Sequence, residues 1–303
     1  VTGVQTCALP IYFWHYSLCS LCCCSESTDY NIGEIIMHIN EQYHDLPLLE
    51  TQTYQFIGRE GEILTKEEQV LNEHLIDVYL NDQLTMKLIC LPQHLTELVL
   101  GRLLTEHIIQ SIDDVEQIYI CEYGKRAKVY LKQSQTTDAK KNTSFVETTP
   151  TCCTGNHILN DYFSSDYPPV PVTPIEWKPE WIFHMADTFA DGMPLHGVTF
   201  ATHSCLLARR DEILFSCEDI GRHNALDKVI GYALRHQIDL TECMVYSSGR
   251  IPTDMAMKAI YAGIPVLSSK ASPTTEAIEL AKAYRLTLVC AARRDRMKVF
   301  SQV

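Results

Sequence analysis

The 303 residues carry a formal charge of −13, from 38 Asp and Glu against 25 Lys and Arg, and 46% of them are hydrophobic. That balance belongs to a globular chain long enough for two modest domains or a single large one. The acidic excess argues against a nucleic-acid partner, because binding a phosphate backbone rests on a surplus of Lys and Arg, and it leaves protein partners or a buried cofactor.

The first 36 residues read unlike the rest. Val1 to Ile11 (VTGVQTCALPI) back-translates to a common sequencing-adapter stretch and is treated as an artefact. No Lys or Arg precedes Arg59, so the apolar run Tyr12 to Cys24 lacks the positive flank of a secretory signal. It is also too short and too polar to span a bilayer. Met37 is the natural start. Setting aside residues 1–36 removes Cys7, Cys19, Cys22, Cys23 and Cys24 from the thirteen cysteines and leaves eight. Cys90, Cys121, Cys217, Cys243 and Cys290 sit in apolar, strand-like runs and are expected in the core. Without a signal peptide or regular cysteine spacing, a reducing cytoplasm is the expected compartment.

Residues 37–131 form the first predicted unit, a small α+β domain. Tyr54 to Ile57, His74 to Leu80 and Leu84 to Cys90 alternate as strands, with a turn at Asn81-Asp82. A helix is predicted from His94 to Thr105 on the spacing of Leu95, Leu98, Val99 and Leu103. Asp113 to Leu131 reads as a hairpin turning at Tyr123-Gly124-Lys125. Residues 132–178 then form a connection: Lys132 to Thr151 is polar and aperiodic, and Pro168 to Pro174 is Pro-rich and extended. From 179 to 303 short strands alternate with helices. Strands are predicted at Ile213 to Cys217, Met244 to Ser247, Ile264 to Leu267 and Leu286 to Cys290, and helices at Arg222 to His236, Thr253 to Ala262 and Thr274 to Tyr284. This order predicts an α/β domain with a mainly parallel sheet covered by helices, whose active groups gather beyond the strands' carboxyl ends.

Four loops there favour anions. Glu218, Asp219, Gly221, Arg222, His223 and Asn224 crowd one strand-to-helix turn, which an ordinary capped helix with a surface ion pair would also explain. Ser247 to Thr253 offers small residues, Ser248 and Gly249, beside the planar fork of Arg250. Ser268 to Thr274 places Ser269 and Lys270 before a helix for which Ser272 is the expected N-cap and Pro273 the first residue. Arg293, Arg294 and Arg296 follow the last apolar strand. Each loop alone is an ordinary turn; together they point to a large phosphorylated ligand.

Cys152 and Cys153 stand apart, in the polar stretch Thr149 to Asn156 with His157 close by. A thiol attacks near neutral pH only where its thiolate is favoured. Incidental thiols and half of a metal site are the bland readings. Adjacent cysteines are poor disulfide partners and lack the C-x-x-C spacing of zinc sites, so sulfur transfer through a persulfide is the sharper reading.

These residues resemble the FdhD/NarQ family. The run Glu218 to Gly231 (EDIGRHNALDKVIG) looks like its signature, with supporting matches at Gly101 to Glu106, Thr202-His203, Ser248 to Arg250, Lys258, Gly263 to Thr274 and the Arg293 region. The resemblance implies a formate dehydrogenase accessory sulfurtransferase with a cytidine-deaminase-like C-terminal domain, acting as a homodimer. It implies sulfur received from a cysteine desulfurase and passed to a molybdenum bis(molybdopterin guanine dinucleotide) cofactor, with the formate dehydrogenase catalytic subunit as client. It further implies that Ala291, Ala292, Arg293, Arg294, Asp295 and Arg296 form a cofactor-binding segment, joined by His203, Lys258, Ser269 and the loop residues above. No tightly held metal, nucleic acid or membrane is expected. The chain departs from the family's C-x-x-C: Pro150-Thr-Cys-Cys153 keeps the second cysteine as Cys153 and loses the first, leaving Cys153 and Cys152 as carrier candidates. Two alternatives are a cofactor chaperone that moves no sulfur and a zinc-dependent deaminase. The latter expects H-x-E and P-C-x-x-C, whereas His203-Ser-Cys205 lacks the Glu and no P-C-x-x-C occurs.

Overall fold

Alternation along His74–Leu80 (β4) and Gln83–Cys90 (β5) turns Ile76, Val78, Leu80, Met86, Leu88 and Cys90 to one buried face, while Asp77 and Lys87 pair across the other at 3.1 Å. The hairpin between them closes through Asn81 and Asp82, both at positive φ, as a two-residue turn requires. In this computed structural model, which describes residues 37–132, 147–149 and 169–303, these strands lie in a six-stranded sheet. Its order is β1-β6-β7-β4-β5-β8, with β1 at His38–Glu41, β6 at Val115–Ile120, β7 at Arg126–Leu131 and β8 at Glu147–Thr149. The predicted turn falls at Gly124, with φ 63°. Strand β8 runs parallel to β5 at the edge of the sheet, so part of the stretch read as an aperiodic connection is strand; the three polar residues Glu147, Thr148 and Thr149 leave no hydrophobic alternation to read in the sequence. Between β1 and β4, Leu49–Ile57 (β2) and Ile63–Leu71 (β3) form a separate, largely exposed hairpin.

Leu95–Thr105 (α1) lies on the buried face of this sheet, and every one of its residues is buried. Its other side meets Arg222–Arg235 (α4). Gly101 and Gly231 sit at that crossing: a β-carbon on Gly101 would lie 1.8 Å from the Asp227 carbonyl oxygen, so the backbones touch where any side chain would hold them apart. The polar groups caught there are paired. Arg102 bonds Asp227 at 2.9 Å and Glu106 at 3.1 Å, and Lys258 reaches Asp227 at 2.6 Å.

The second sheet has the order β10-β9-β11-β12-β13-β14, from His203–Arg209 (β9), Glu212–Asp219 (β10), Met244–Ser247 (β11), Val266–Ser269 (β12), Thr287–Arg293 (β13) and Arg296–Ser301 (β14). β11, β12 and β13 are mutually parallel, whereas β9 runs against both β10 and β11, and β14 against β13. The sheet is therefore mixed. Strand β10 points with the parallel set as expected, but hairpin pairing sets β9 between it and β11. Cys205, Leu207, Val245, Leu267 and Leu288 face α4, Thr253–Tyr261 (α5) and Thr275–Ala283 (α6), in one hydrophobic cluster that continues through α1 into the first sheet. Leu206, Ala208, Met244, Tyr246 and Val266 face the opposite way, onto Pro179–Asp191 (α2). Helix α2 escaped the reading above although Ile182, Met185, Ala186 and Phe189 have helical spacing behind a proline. A short helix, Pro194–Thr199 (α3), follows it. Of the five cysteines expected in the core, Cys90, Cys217, Cys243 and Cys290 are buried, and Cys121, at the β6–β7 turn, is only half-buried. No described helix is long and apolar enough to cross a membrane.

Candidate functional site

The carboxyl ends of the parallel strands and the start of β9 meet at one edge of the second sheet. His203 stands opposite Asp219, Cys205 opposite Ser247, and Ser247 opposite Ser269. The loops beyond them interlock. The Ser248 amide donates to the Ser204 carbonyl and the Ser204 amide returns a bond to Ser248 Oγ, both at 2.9 Å. Ser269 Oγ donates to the Gly249 carbonyl at 2.6 Å and accepts from the Ala271 amide at 3.0 Å. Ala271 in turn accepts from the amide of Ala291, which is held at φ 50°. Ser272 is not the N-cap expected above: Pro273 bridges to Ile251 as extended chain, and Thr274 caps α6 by accepting from the Ala277 amide.

This frame surrounds a cleft of about 360 Å³, lined by Phe189, His196, Phe200, Ala201, Thr202, His203, Ser248, Lys270, Ala271 and Arg293. Ligand sites run from roughly 300 to 1,000 Å³. Lys270 Nζ stands 4.8 Å over the Phe189 ring. Burial, and after it the Arg222 guanidinium, pushes the His203 imidazole below its ordinary value, leaving it neutral at pH 7 with Nδ1 3.5 Å from Ser248 Oγ. Gly249 fits closely here: a β-carbon would stand 3.1 Å from the Arg222 side chain and 3.4 Å from His203 Nδ1, so a larger residue would have to shift both by a few tenths of an ångström. The arrangement sets two cations and a hydroxyl beside two aromatic rings, which is the chemistry of a nucleotide's phosphate and base.

The predicted residues divide into three groups. His203, Ser248 and Arg293 line the cleft; Arg222, Gly249 and Ser269 stand directly behind it. A second group supports it from within. Glu218 accepts bonds from the Leu195 and His196 amides and from Thr202 Oγ1. Asp219 pairs with fully buried Lys228 at 2.7 Å and accepts from the amides of Leu91 and Gly221 and from Asn224 Nδ2. His223 Nε2 meets Asp254 at 3.2 Å, and Lys258, wholly buried, belongs to the α1–α4 crossing. The third group lies apart from the cleft lining. Arg250 is exposed, Arg294 pairs with Asp191, Arg296 with Asp295, and Ala292 is buried beneath Tyr246, whose hydroxyl bonds its carbonyl. Phe189, His196 and Phe200 were missed, because nothing in local spacing marks an aromatic residue as facing a cleft formed by other segments. Cys152 and Cys153 lie outside the described residues, and among those described no group of three or more His, Cys, Asp or Glu is arranged to hold a metal ion.

The FdhD/NarQ family profile matches residues 71–303, which takes in the cleft, its supporting carboxylates and the α1–α4 crossing. The chain belongs to the FdhD/NarQ family. It is 32% identical over 239 residues to the sulfur carrier protein FdhD of Listeria innocua, covering 78% of this chain and 90% of that one. Against the Bacillus subtilis protein of the same name the figures are 30% over 245 residues, 80% and 92%. In structure it is similar to a chain from Desulfotalea psychrophila assigned as a formate dehydrogenase accessory protein, with a TM-score of 0.67, 27% identity, and coverage of 84% of this chain and 97% of that chain.

Proposed function

We propose that this FdhD/NarQ member is a cytoplasmic sulfur carrier that takes persulfide sulfur from a cysteine desulfurase on Cys153 or Cys152 and passes it to a molybdenum bis-guanine-dinucleotide cofactor destined for formate dehydrogenase. The observation that carries the reading is the cleft, where Ser248, Lys270 and Arg293 face Phe189 and Phe200. The names of its relatives support sulfur transfer, and the assignment of the Desulfotalea chain supports a formate dehydrogenase as client. Loading is a thiol exchange. The carrier thiolate attacks the outer sulfur of the desulfurase persulfide, the sulfur–sulfur bond breaks, and the desulfurase cysteine leaves as a thiolate.

In this proposal Lys270, Arg293 and Ser248 hold phosphate oxygens, and Phe189 and Phe200 flank a base. When bound, the cofactor supplies the molybdenum centre that accepts sulfur. A cleft of about 360 Å³ has room for one nucleotide arm. A cofactor with two such arms calls for two clefts, which supports a homodimer. Residues 37–131 would serve as the scaffold, 132–178 as the thiol-bearing connection and 179–303 as the cofactor-binding part. The parallel core of the second sheet, flanked by helices on both faces, supports reading that part as cytidine-deaminase-like.

A second reading is a cofactor chaperone that moves no sulfur, which the phosphate- and ring-holding groups of the cleft would serve equally well. Incubation with a cysteine desulfurase and cysteine, followed by mass spectrometry, should add sulfur at Cys152 or Cys153. The double Ala variant should neither load nor activate formate dehydrogenase. Full activation by that variant, with loss of activation in a Lys270→Ala, Arg293→Ala chain, would overturn sulfur transfer in favour of the chaperone.

A further inference from the structure

The Glu218 carboxylate, in the most distinctive motif of the chain, does not line the cleft, yet it makes three hydrogen bonds. It accepts from the Leu195 amide at 2.8 Å, the His196 amide at 2.7 Å and Thr202 Oγ1 at 2.8 Å. These bonds tie the start of Pro194–Thr199, and Thr202 just beyond its end, to the end of β10. Thr202, so anchored, turns its carbonyl oxygen to His196 Nδ1 at 3.1 Å. A carbonyl can only accept, so Nδ1 carries a proton, and the tautomer this contact selects presents Nε2 as an acceptor.

His196 lines the cleft half-buried, with Phe189 at 5.9 Å and Phe200 at 5.7 Å between ring centroids. Phe200 is held at φ 53°, a conformation costly for a bulky residue, and its side chain is 79% exposed. A strained, solvent-facing phenylalanine beside an imidazole of defined tautomer is poor design for a core and good design for receiving a flat ring.

We infer that His196 is the base-selecting residue of the cleft, presenting Nε2 as an acceptor to the edge of a nucleotide base, and that Glu218 is its positioning residue. This rests on the nucleotide reading given above. An acceptor at that place favours a base with a ring N–H. Guanine sets N1–H and its 2-amino group side by side, and hypoxanthine keeps N1–H, whereas adenine sets a ring acceptor next to its amino group and turns one lone pair toward another. A site built to accept from a donor discriminates against a base lacking it because the buried acceptor is then left unpaired.

The test is calorimetric titration of the full chain with GDP, IDP and ADP. Wild type should bind GDP and IDP about tenfold or more tighter than ADP, equivalent to about 1.4 kcal/mol. His196→Phe keeps a flat ring between Phe189 and Phe200 but removes the acceptor; it should bring GDP down to the ADP level while leaving ADP unchanged. Glu218→Gln should narrow the GDP-to-ADP ratio with ADP affinity retained, which general loosening of the cleft would not do. Lys270→Ala, which removes a phosphate contact, should weaken all three nucleotides alike. If no nucleotide binds wild type, the nucleotide reading falls and this inference with it. If the nucleotides bind and Lys270→Ala weakens them, but His196→Phe leaves the GDP-to-ADP ratio intact, the inference alone is overturned.

Discussion

A β-carbon on Gly231 would lie 1.7 Å from the carbonyl oxygen of Glu97, so α4 and α1 approach backbone to backbone. Gly101 meets the Asp227 carbonyl in the same way from the opposite side. Because backbone rather than a pliable side chain stands in the way, Gly231→Ala must push the helices apart. A loss of about 1–3 kcal/mol or more is expected, seen as a fall in Tm of roughly 2–4 °C per kcal/mol in a thermal melt.

The same crossing buries Asp227 between Arg102 and Lys258. Removing the carboxylate leaves two buried cations facing each other, whereas removing Lys258 leaves Asp227 paired with Arg102. Asp227→Ala should therefore cost about 3–5 kcal/mol in denaturant unfolding and Lys258→Met clearly less. Lys258 is wholly buried and does not line the cleft, so GDP affinity per folded Lys258→Met chain should match wild type. A large loss would return Lys258 to the binding residues.

Burial holds His223 well below its ordinary value of 6.5, with Lys258 and Arg102 adding to the effect. His94 and His203 are lowered as well, each chiefly by burial. The unfolded chain takes up protons near pH 6.5 that the folded chain refuses. The stability these groups contribute is therefore complete above 6.5 and lost as pH falls below it. His223 by itself contributes a slope approaching about 1.4 kcal/mol per pH unit. Denaturant unfolding measured at falling pH should show the decline, and His223→Gln should flatten it.

Burial also pushes the thiols of Cys205 and Cys290 up to about 12 and raises those of Cys90 and Cys217. None of the four can supply thiolate near neutral pH. A short treatment of the native chain with iodoacetamide, mapped by mass spectrometry, should leave all four unlabelled, and the same treatment in guanidinium should label them. Rapid native labelling of any would contradict their burial.

The α/β alternation after residue 179, helix α1 and the Asn81-Asp82 and Gly124 turns were legible because each rests on hydrophobic period or turn chemistry within a few residues. The motif from Glu218 to Gly231 was legible for its unusual density of polar groups, and it led to the family. Its division of labour was not. Asp219, Asn224 and Lys258 turn inward to brace the two sheets, Glu218 braces His196, and Lys270 and three aromatic or imidazole rings from distant segments complete the cleft. Sequence alone determined the strongly periodic elements, though not α2 or β8, and the kind of chemistry present, since periodicity and residue type are local properties. Which charges face a ligand and which face each other was decided only by tertiary structure, because burial and pairing depend on segments more than a hundred residues apart, as between Arg102 and Asp227.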